Sequence, residues 1–277
     1  MPPPPAISRQ QNNCMEHGNE IIVNSWAEVQ SALFDHSWNE HIKRFRSSYV
    51  YRGSWSKGYD LSTSLTRLGS RYHELEPHIL RNFRKYAHSN AAPGDSVWNW
   101  LAVAQHHGLP TRLLDWTYSP YVALHFATEN LDSYHEDGAI WCVDYVKAND
   151  FLPLKLQTAI KEEGSNVFTP EILQPVCSSL KELSLLQPEE FVVFLEPPSL
   201  DERIVHQYAL FSLMSNARAN MSQWLEQHPE LYFKVIIPAG LKWEIRDKLD
   251  QANITERVLF PGLQGLSQWL KRHYTHE

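Results

Sequence analysis

Gln105-His106-His107-Gly108-Leu109-Pro110-Thr111-Arg112-Leu113-Leu114-Asp115-Trp116-Thr117-Tyr118-Ser119-Pro120 is the stretch that decides the fold. It reads as the end of a helix, a tight turn, a short strand and the start of a second helix. Upstream, Val97, Trp98, Trp100, Leu101 and Val103 recur at mixed three- and four-residue spacing, the pattern of a heavily packed helix. Gly108 suits a left-handed helix stop, and Pro110 forbids continuation. Leu113-Leu114 is a short apolar run of the buried-strand kind. Ser119-Pro120 is an N-cap with proline at the first helical position. Ala123, Phe126 and Ala127 then give the next helix a small and aromatic face. Between these apolar elements crowd His106, His107, Thr111, Arg112, Asp115 and Thr117. Buried polar groups need partners, so several of these should bond one another. Two readings stay open: an Arg112–Asp115 lock on the turn, or a ligand cleft lined by Asp115, Trp116 and Thr117.

Composition bounds the rest. A chain of 277 residues, 43% apolar and 21% charged, can bury one large core or two modest ones. Ten Trp and twelve Tyr suggest aromatic cores and a stacking surface. A net charge of −7 argues against a broad polyanion-binding surface while leaving room for a local basic pocket. Cys14, Cys142 and Cys177 are too scattered for a disulfide framework or a zinc site, so a reducing, cytoplasmic setting is expected. The Pro-rich start lacks the pattern of a signal peptide, and no apolar run approaches the roughly 20 residues of a membrane span.

The element order reads as α+β. Residues 1–20 form a loose, flexible lead-in, and residues 21–277 a single domain. Helices are expected at Trp26–Phe34, behind the capping pair Asn24-Ser25, and at Tyr72–Tyr86, Leu241–Leu249 and Leu266–Tyr274. Strands are expected at Ser48–Gly53, Ala139–Tyr145, Phe191–Leu195 and Leu231–Pro238, with 201–214 beginning as a helix or turn and ending as a strand. Residues 146–190, broken by Pro170, Pro175 and Pro188, read as a helical insertion or cover. Strands and helices do not alternate regularly, which disfavours a doubly wound sheet.

Three places carry candidate chemistry. Tyr51-Arg52-Gly53 closes a strand. Arg52 supplies a fork for phosphate and Gly53 lets a ligand meet bare backbone, although a structural ion pair explains the arginine equally simply. Asp115-Trp116-Thr117 precedes a helix N-terminus, where free N–H groups favour anions; the plain alternative is a capped turn with a core tryptophan. Gln207 can orient a hydroxyl but cannot take a proton, and a glutamine bonded to backbone is the ordinary reading. Fourteen His tempt a metal assignment. Yet His106 and His107 are adjacent and diverge on a helix, and no zinc spacing exists, so no metal is expected.

Tyr51-Arg52-Gly53, Leu61, Ser64-Leu65, Arg67, the whole 105–117 block, Ser119-Pro120, Ala123-Leu124 and Phe126-Ala127 together resemble the FRG domain. Asp137-Gly138-Ala139-Ile140-Trp141 and Arg203-Ile204 with Gln207 and Phe211 extend the resemblance over about residues 26–215. The order of motifs is also similar to that of the ADP-ribosyltransferase fold. There, an aromatic-Arg-Gly strand, a Ser-Thr-Ser strand leading to a helix with Ala and Phe, and a later acidic or Gln position surround NAD. Tyr51-Arg52-Gly53 resembles the first and Gln207 the third. Asp115-Trp116-Thr117, with Ala123 and Phe126 behind it, resembles the second. Asp-Trp replaces Ser-Thr, and Gln replaces the usual Glu. The literal Ser62-Thr63-Ser64 lacks the following helix and is read as a loop.

The resemblance implies a single α+β domain with a split mixed or antiparallel sheet and helices packed around it. It implies NAD as co-substrate and transfer of ADP-ribose to a nucleic acid or protein, in a toxin or in phage defence. Nucleotide binding without catalysis, and NAD hydrolysis, are the alternatives. Arg52, Thr117 and Gln207 are the expected catalytic residues. Tyr51, Arg52, Gly53, Arg67, His106, Asp115, Trp116 and Thr117 are expected to bind the cofactor, with Asp115 orienting Arg112 or His106. Where Gln207 cannot activate the acceptor, Glu202, Glu196 or a base of the target is expected to do so.

Overall fold

In a computed structural model of the chain, residues 18–40, 42–87, 94–198 and 202–275 are described. The chain opens with β1 (Glu20–Ile22), α1 (Trp26–Phe34), an antiparallel pair of β2 (Trp38–Asn39) and β3 (Arg44–Phe45), and β4 (Tyr49–Ser54). Next come α2 (Tyr72–Ala87), α3 (Val97–His106), β5 (Leu113–Thr117), α4 (Pro120–Ala127) and β6 (Gly138–Asp144). Helices α5 (Leu154–Glu163), α6 (Pro170–Leu173) and α7 (Leu180–Ser184) lead to β7 (Val192–Leu195), α8 (Glu202–His206) and β8 (Ala209–Met214). The chain closes with α9 (Met221–Glu226), β9 (Tyr232–Ile237), α10 (Lys242–Gln251), α11 (Glu256–Leu259) and α12 (Leu263–His273).

The local signals act as their chemistry dictates. Ser25 accepts from the Glu28 amide and caps α1, and Ser119 accepts from the Val122 amide behind Pro120. Gly108, at φ 78°, ends the turn after α3 in the left-handed region. The strand begun at Leu113-Leu114 runs on through Asp115, Trp116 and Thr117, and one expectation changes. Pro170 opens a helix at its first position instead of breaking one. The lead-in expected at 1–20 lies outside the described residues up to position 17, and Glu20 already belongs to β1.

The seven main strands form one mixed sheet in the order β1-β9-β6-β4-β5-β8-β7. Only β1 and β9 run parallel; the other neighbours are antiparallel, as an α+β chain requires. The sheet is nearly severed in the middle. β4 pairs with β6 over six positions and β5 with β8 over five, whereas β4 and β5 share the single pair Tyr51–Thr117.

Side-chain alternation sorts the core into two faces. On one face Val50, Trp116, Trp141, Val143, Phe194 and Leu210 pack with Trp224 of α9. The other face holds two separate clusters. Tyr51, Ile140, Cys142 and Val235 pack under α1, α4 and α10, while Leu113, Phe211, Leu213 and Val193 pack under α3 and α5–α7. Residues 146–190 are therefore a working cover of the sheet, with Leu156, Leu173 and Leu183 fully buried in it.

Gly53 is where α4 meets the sheet. A Cβ there would lie 1.9 Å from the Ala123 carbonyl oxygen and 2.7 Å from the Ala127 amide. Both obstacles are backbone, so no rotamer change relieves them. The glycine is required by helix packing, whatever it also offers a ligand. Gly53→Ala is expected to lower unfolding free energy by about 3 kcal/mol, the upper end of overpacking costs. Urea unfolding checks this; a loss under about 1 kcal/mol would mean that α4 does not press on β4.

Candidate functional site

A cleft of about 670 Å³ opens where β4 and β5 part. It gathers every residue singled out in the sequence as catalytic or cofactor-binding: Tyr51, Arg52, Gly53, Arg67, His106, Asp115, Trp116, Thr117 and Gln207. They come from β4, the short helical turn after Leu61, the end of α3, the end of β5 and the turn before β8. Trp55, Phe126, Glu129, Trp141, Arg203 and Phe211 complete the walls that matter for chemistry.

Arg52 spans the gap between the parted strands. Its Nη1 donates to the Asp115 carbonyl oxygen at 2.6 Å. Burial presses the guanidinium below its ordinary value, an effect offset by the charge of Asp115 and reinforced by Arg67. Asp115 is in turn held by the stretch that precedes it. Gln105 Nε2 donates to Asp115 Oδ2 at 3.0 Å, and Thr111 Oγ1 donates to Gln105 Oε1 at 2.6 Å. The polar crowding of residues 105–117 is thus a hydrogen-bond chain that ends on Arg52.

Arg112 is not part of that chain. It forms a buried pair with Glu76 of α2, Nε lying 2.8 Å from Oε1, and it donates to the Ser215 carbonyl at 3.3 Å. Neither an Arg112–Asp115 lock nor Asp115 as the orienter of Arg112 exists; Asp115 is taken by Gln105 and Arg52. Glu76 lies 36 residues away from Arg112, so no local spacing pointed to it.

Other members of the set turn out to position the cleft more than to fill it. Thr117 is buried, its hydroxyl donating to the Gln207 carbonyl at 2.7 Å and accepting from the Ser119 amide at 3.0 Å. These bonds fix Gln207 beside β5. Trp116 is a core residue whose indole N–H donates to Ser212 Oγ at 2.8 Å. The Tyr51 phenol is also buried, bonded to Leu33 and Ser47, and burial pushes it up to about 12. Gln207 Nε2 donates to the Leu259 carbonyl at 3.1 Å, which leaves its Oε1 as an acceptor suited to a sugar hydroxyl. The next residue, Tyr208, holds φ at +50°, a conformation that side-chain-bearing residues rarely adopt and that recurs at binding sites.

The cleft holds one carboxylate that sequence reading passed over. Glu129, two residues beyond α4, keeps 40% of its side chain exposed. The packed walls raise its carboxyl to about 7, with Glu256 adding to the rise while Arg246, Arg203 and Arg52 oppose it. Behind it stands the buried His125, whose Nε2 lies 4.0 Å from Glu129 Oε2. Arg246 Nη1 donates to His125 Nδ1 at 2.8 Å, which assigns the neutral tautomer with its proton on Nε2, facing Glu129. Burial and Arg246 hold His125 down to about 3, so it stays neutral at physiological pH. By contrast, Glu202 and Glu196 do not line the cleft, and Glu196 accepts from the Tyr118 hydroxyl at 3.0 Å. The approach of Glu129 to Arg52 depends on Ala123 and Ala127 packing against Gly53, a contact no spacing announces.

Among the described residues, no group of three or more His, Cys, Asp or Glu could hold a metal ion, and no helix is long and apolar enough to cross a membrane. The family model of the FRG domain matches residues 47–136, which hold β4, α2, α3, β5, α4 and Glu129. No curated protein and no solved structure matches the chain at a significant level.

Proposed function

We propose that the cleft of this chain, which carries an FRG domain over residues 47–136, binds NAD in a bent form and transfers ADP-ribose to a macromolecular acceptor. The observation that carries this reading is the convergence of three sequence-distant motifs. Arg52 on β4, Thr117 on β5 and Gln207, two residues before β8, come from three neighbouring strands of the sheet or their ends and line one cleft at its break. That order is what resemblance to the ADP-ribosyltransferase fold leads one to expect. The cleft volume falls in the range of sites that enclose small organic ligands.

The roles follow from the chemistry of the walls. Arg52, Arg67 and Arg203 offer guanidinium forks to a pyrophosphate. Trp55 and Phe126 supply flat surfaces for rings. Gln207 Oε1 accepts from a ribose hydroxyl. The bond between nicotinamide nitrogen and ribose C1′ breaks, its electron pair leaving with nicotinamide, and an oxocarbenium-like ribose remains. An acceptor oxygen or nitrogen attacks C1′ and gives up its proton. Gln207 cannot take that proton, whereas Glu129 can. Stabilising the cation against fixed charges supplies the rest. A nucleic acid or a protein is the acceptor class, and toxin or phage-defence action is the setting the family resemblance suggests.

Glu129→Gln is expected to lower turnover about 100-fold, the lower end for loss of a general base. The wild-type rate should rise with pH and level off above about 7, where Glu129 is ionised, and the variant should lose that rise. Because the raised carboxyl is at a disadvantage when ionised in the folded state, its contribution to stability is best at low pH and is lost between its ordinary value and about 7. The variant should therefore melt no lower than wild type at pH 8. A pH profile unchanged by Glu129→Gln would remove this carboxylate from the mechanism.

A non-catalytic cleft that holds a nucleotide or ADP-ribose is the second reading, favoured by Gln207 standing where a carboxylate is usual. Incubation with NAD separates the two by the appearance of free nicotinamide. Labelled NAD offered with DNA, RNA or cell lysate then separates transfer from hydrolysis.

A further inference from the structure

A second cavity, of about 610 Å³, lies at the opposite end of the β5–β8 ladder. The cleft sits where β5 ends and β8 begins, and this cavity sits where β5 begins and β8 ends, roughly 15 Å away along the strands at their usual rise. Five cationic side chains line it against one carboxylate, in a chain whose net charge is −7. The carboxylate, Glu76, is consumed by Arg112. Arg81 and Arg84 on α2, Lys181 on α7 and Arg218 after β8 are left to face the opening. Such a concentration of like charge repels itself and is relieved by a bound anion.

The cations are held in place by other contacts. The Arg84 guanidinium stacks over Trp100, 5.7 Å from the ring centroid. Arg218 Nη2 lies 2.6 Å from His73 Nε2, and the Arg218 amide donates to Asn216 Oδ1 at 2.8 Å. Arg81 and Lys181 are exposed and have no ion pair among the described residues. Between the cations the wall is apolar, formed by Pro77, Leu80, Val97, Leu180 and Ala217. A bare inorganic ion would use only the rim. A phosphate carried on a flat apolar body uses both rim and wall.

We propose that this cavity binds a nucleotide phosphate, free or at the end of a single strand, with the cationic rim on the phosphate and the apolar wall against the base. The site is separate from the cleft and does not depend on the reaction proposed for it.

Isothermal titration of the full chain with AMP, inorganic phosphate and a short single-stranded oligonucleotide tests the proposal. It is run on wild type, on Arg52→Ala to disable the cleft, and on the double variant Arg81→Glu/Lys181→Glu. Both reversed side chains are on the surface, so the fold is kept, as circular dichroism verifies. AMP should bind more tightly than phosphate, bind Arg52→Ala at this site with unchanged affinity, and lose at least tenfold in affinity in the double variant. Tighter binding of the oligonucleotide than of AMP, abolished by the same double variant, identifies a strand as the source of the phosphate; the reverse ranking identifies the free nucleotide. Absence of binding by both, binding untouched by the double variant, or phosphate binding as tight as AMP would overturn the proposal.

Discussion

Arg52→Ala should lower NAD turnover about a thousandfold, the loss expected when a charged donor aimed at developing or transferred charge is removed. Its guanidinium crosses the break between β4 and β5, bonding the Asp115 carbonyl from the opposite strand. Two functions meet in it: it holds the strands at a fixed separation, and its remaining N–H groups face the cleft. The structural share is limited: a hydrogen bond from a charged donor contributes about 1.5–3 kcal/mol net. The variant should therefore fold, with a modestly lowered melting temperature, while failing to turn over. Arg52→Lys keeps the charge but not the fork, and cannot satisfy Asp115 and a phosphate together; it should fall between the two. Full turnover in Arg52→Ala, with the fold intact, would take the aromatic-Arg-Gly strand out of the chemistry.

Glu76→Ala should produce the largest loss of stability, about 3–5 kcal/mol, by leaving a buried guanidinium without its carboxylate. Arg112 is 8% exposed and Glu76 3%, so water from the neighbouring cavity replaces the missing partner only in part. The pair joins α2 to the start of β5, and Arg112 also reaches the Ser215 carbonyl at the end of β8. Replacing both partners with apolar residues, as in Glu76→Leu/Arg112→Met, should recover much of the loss, because the penalty lies in the orphaned charge and not in the missing attraction. Chemical unfolding of the single and double variants measures both. A single-variant loss below about 1 kcal/mol would place the pair among ordinary surface salt bridges.

Much of the architecture was legible because local signals were strong. Ser25 and Ser119 announced helix starts, Gly108 a helix end, and the β-branched and aromatic runs around residues 140, 193 and 235 became β6, β7 and β9. The short strand β1 was missed because three residues carry no periodicity; it is a strand through its parallel pairing with β9, more than 200 positions away. The same limit applies to the site. Which residues share the cleft could be read from motif order, but who bonds whom could not. Arg112 took Glu76 instead of the nearby Asp115, because pairing of buried charge is settled by tertiary packing. Thr117 gave its hydroxyl to the Gln207 backbone. Glu129 follows an apolar helix in an unremarkable Ala-Thr-Glu-Asn run, and becomes a cleft residue only because α4 lies against Gly53.

The central claim is that the opening between β4 and β5 cleaves the nicotinamide–ribose bond of NAD. The most direct measurement is chromatographic detection of free nicotinamide after incubating purified protein with NAD, with wild type and Gln207→Ala side by side. Release by wild type, with or without an added acceptor, and a marked fall in the variant are the predicted results. No release above a protein-free control in the presence of DNA, RNA and lysate, with NAD recovered intact, would contradict it.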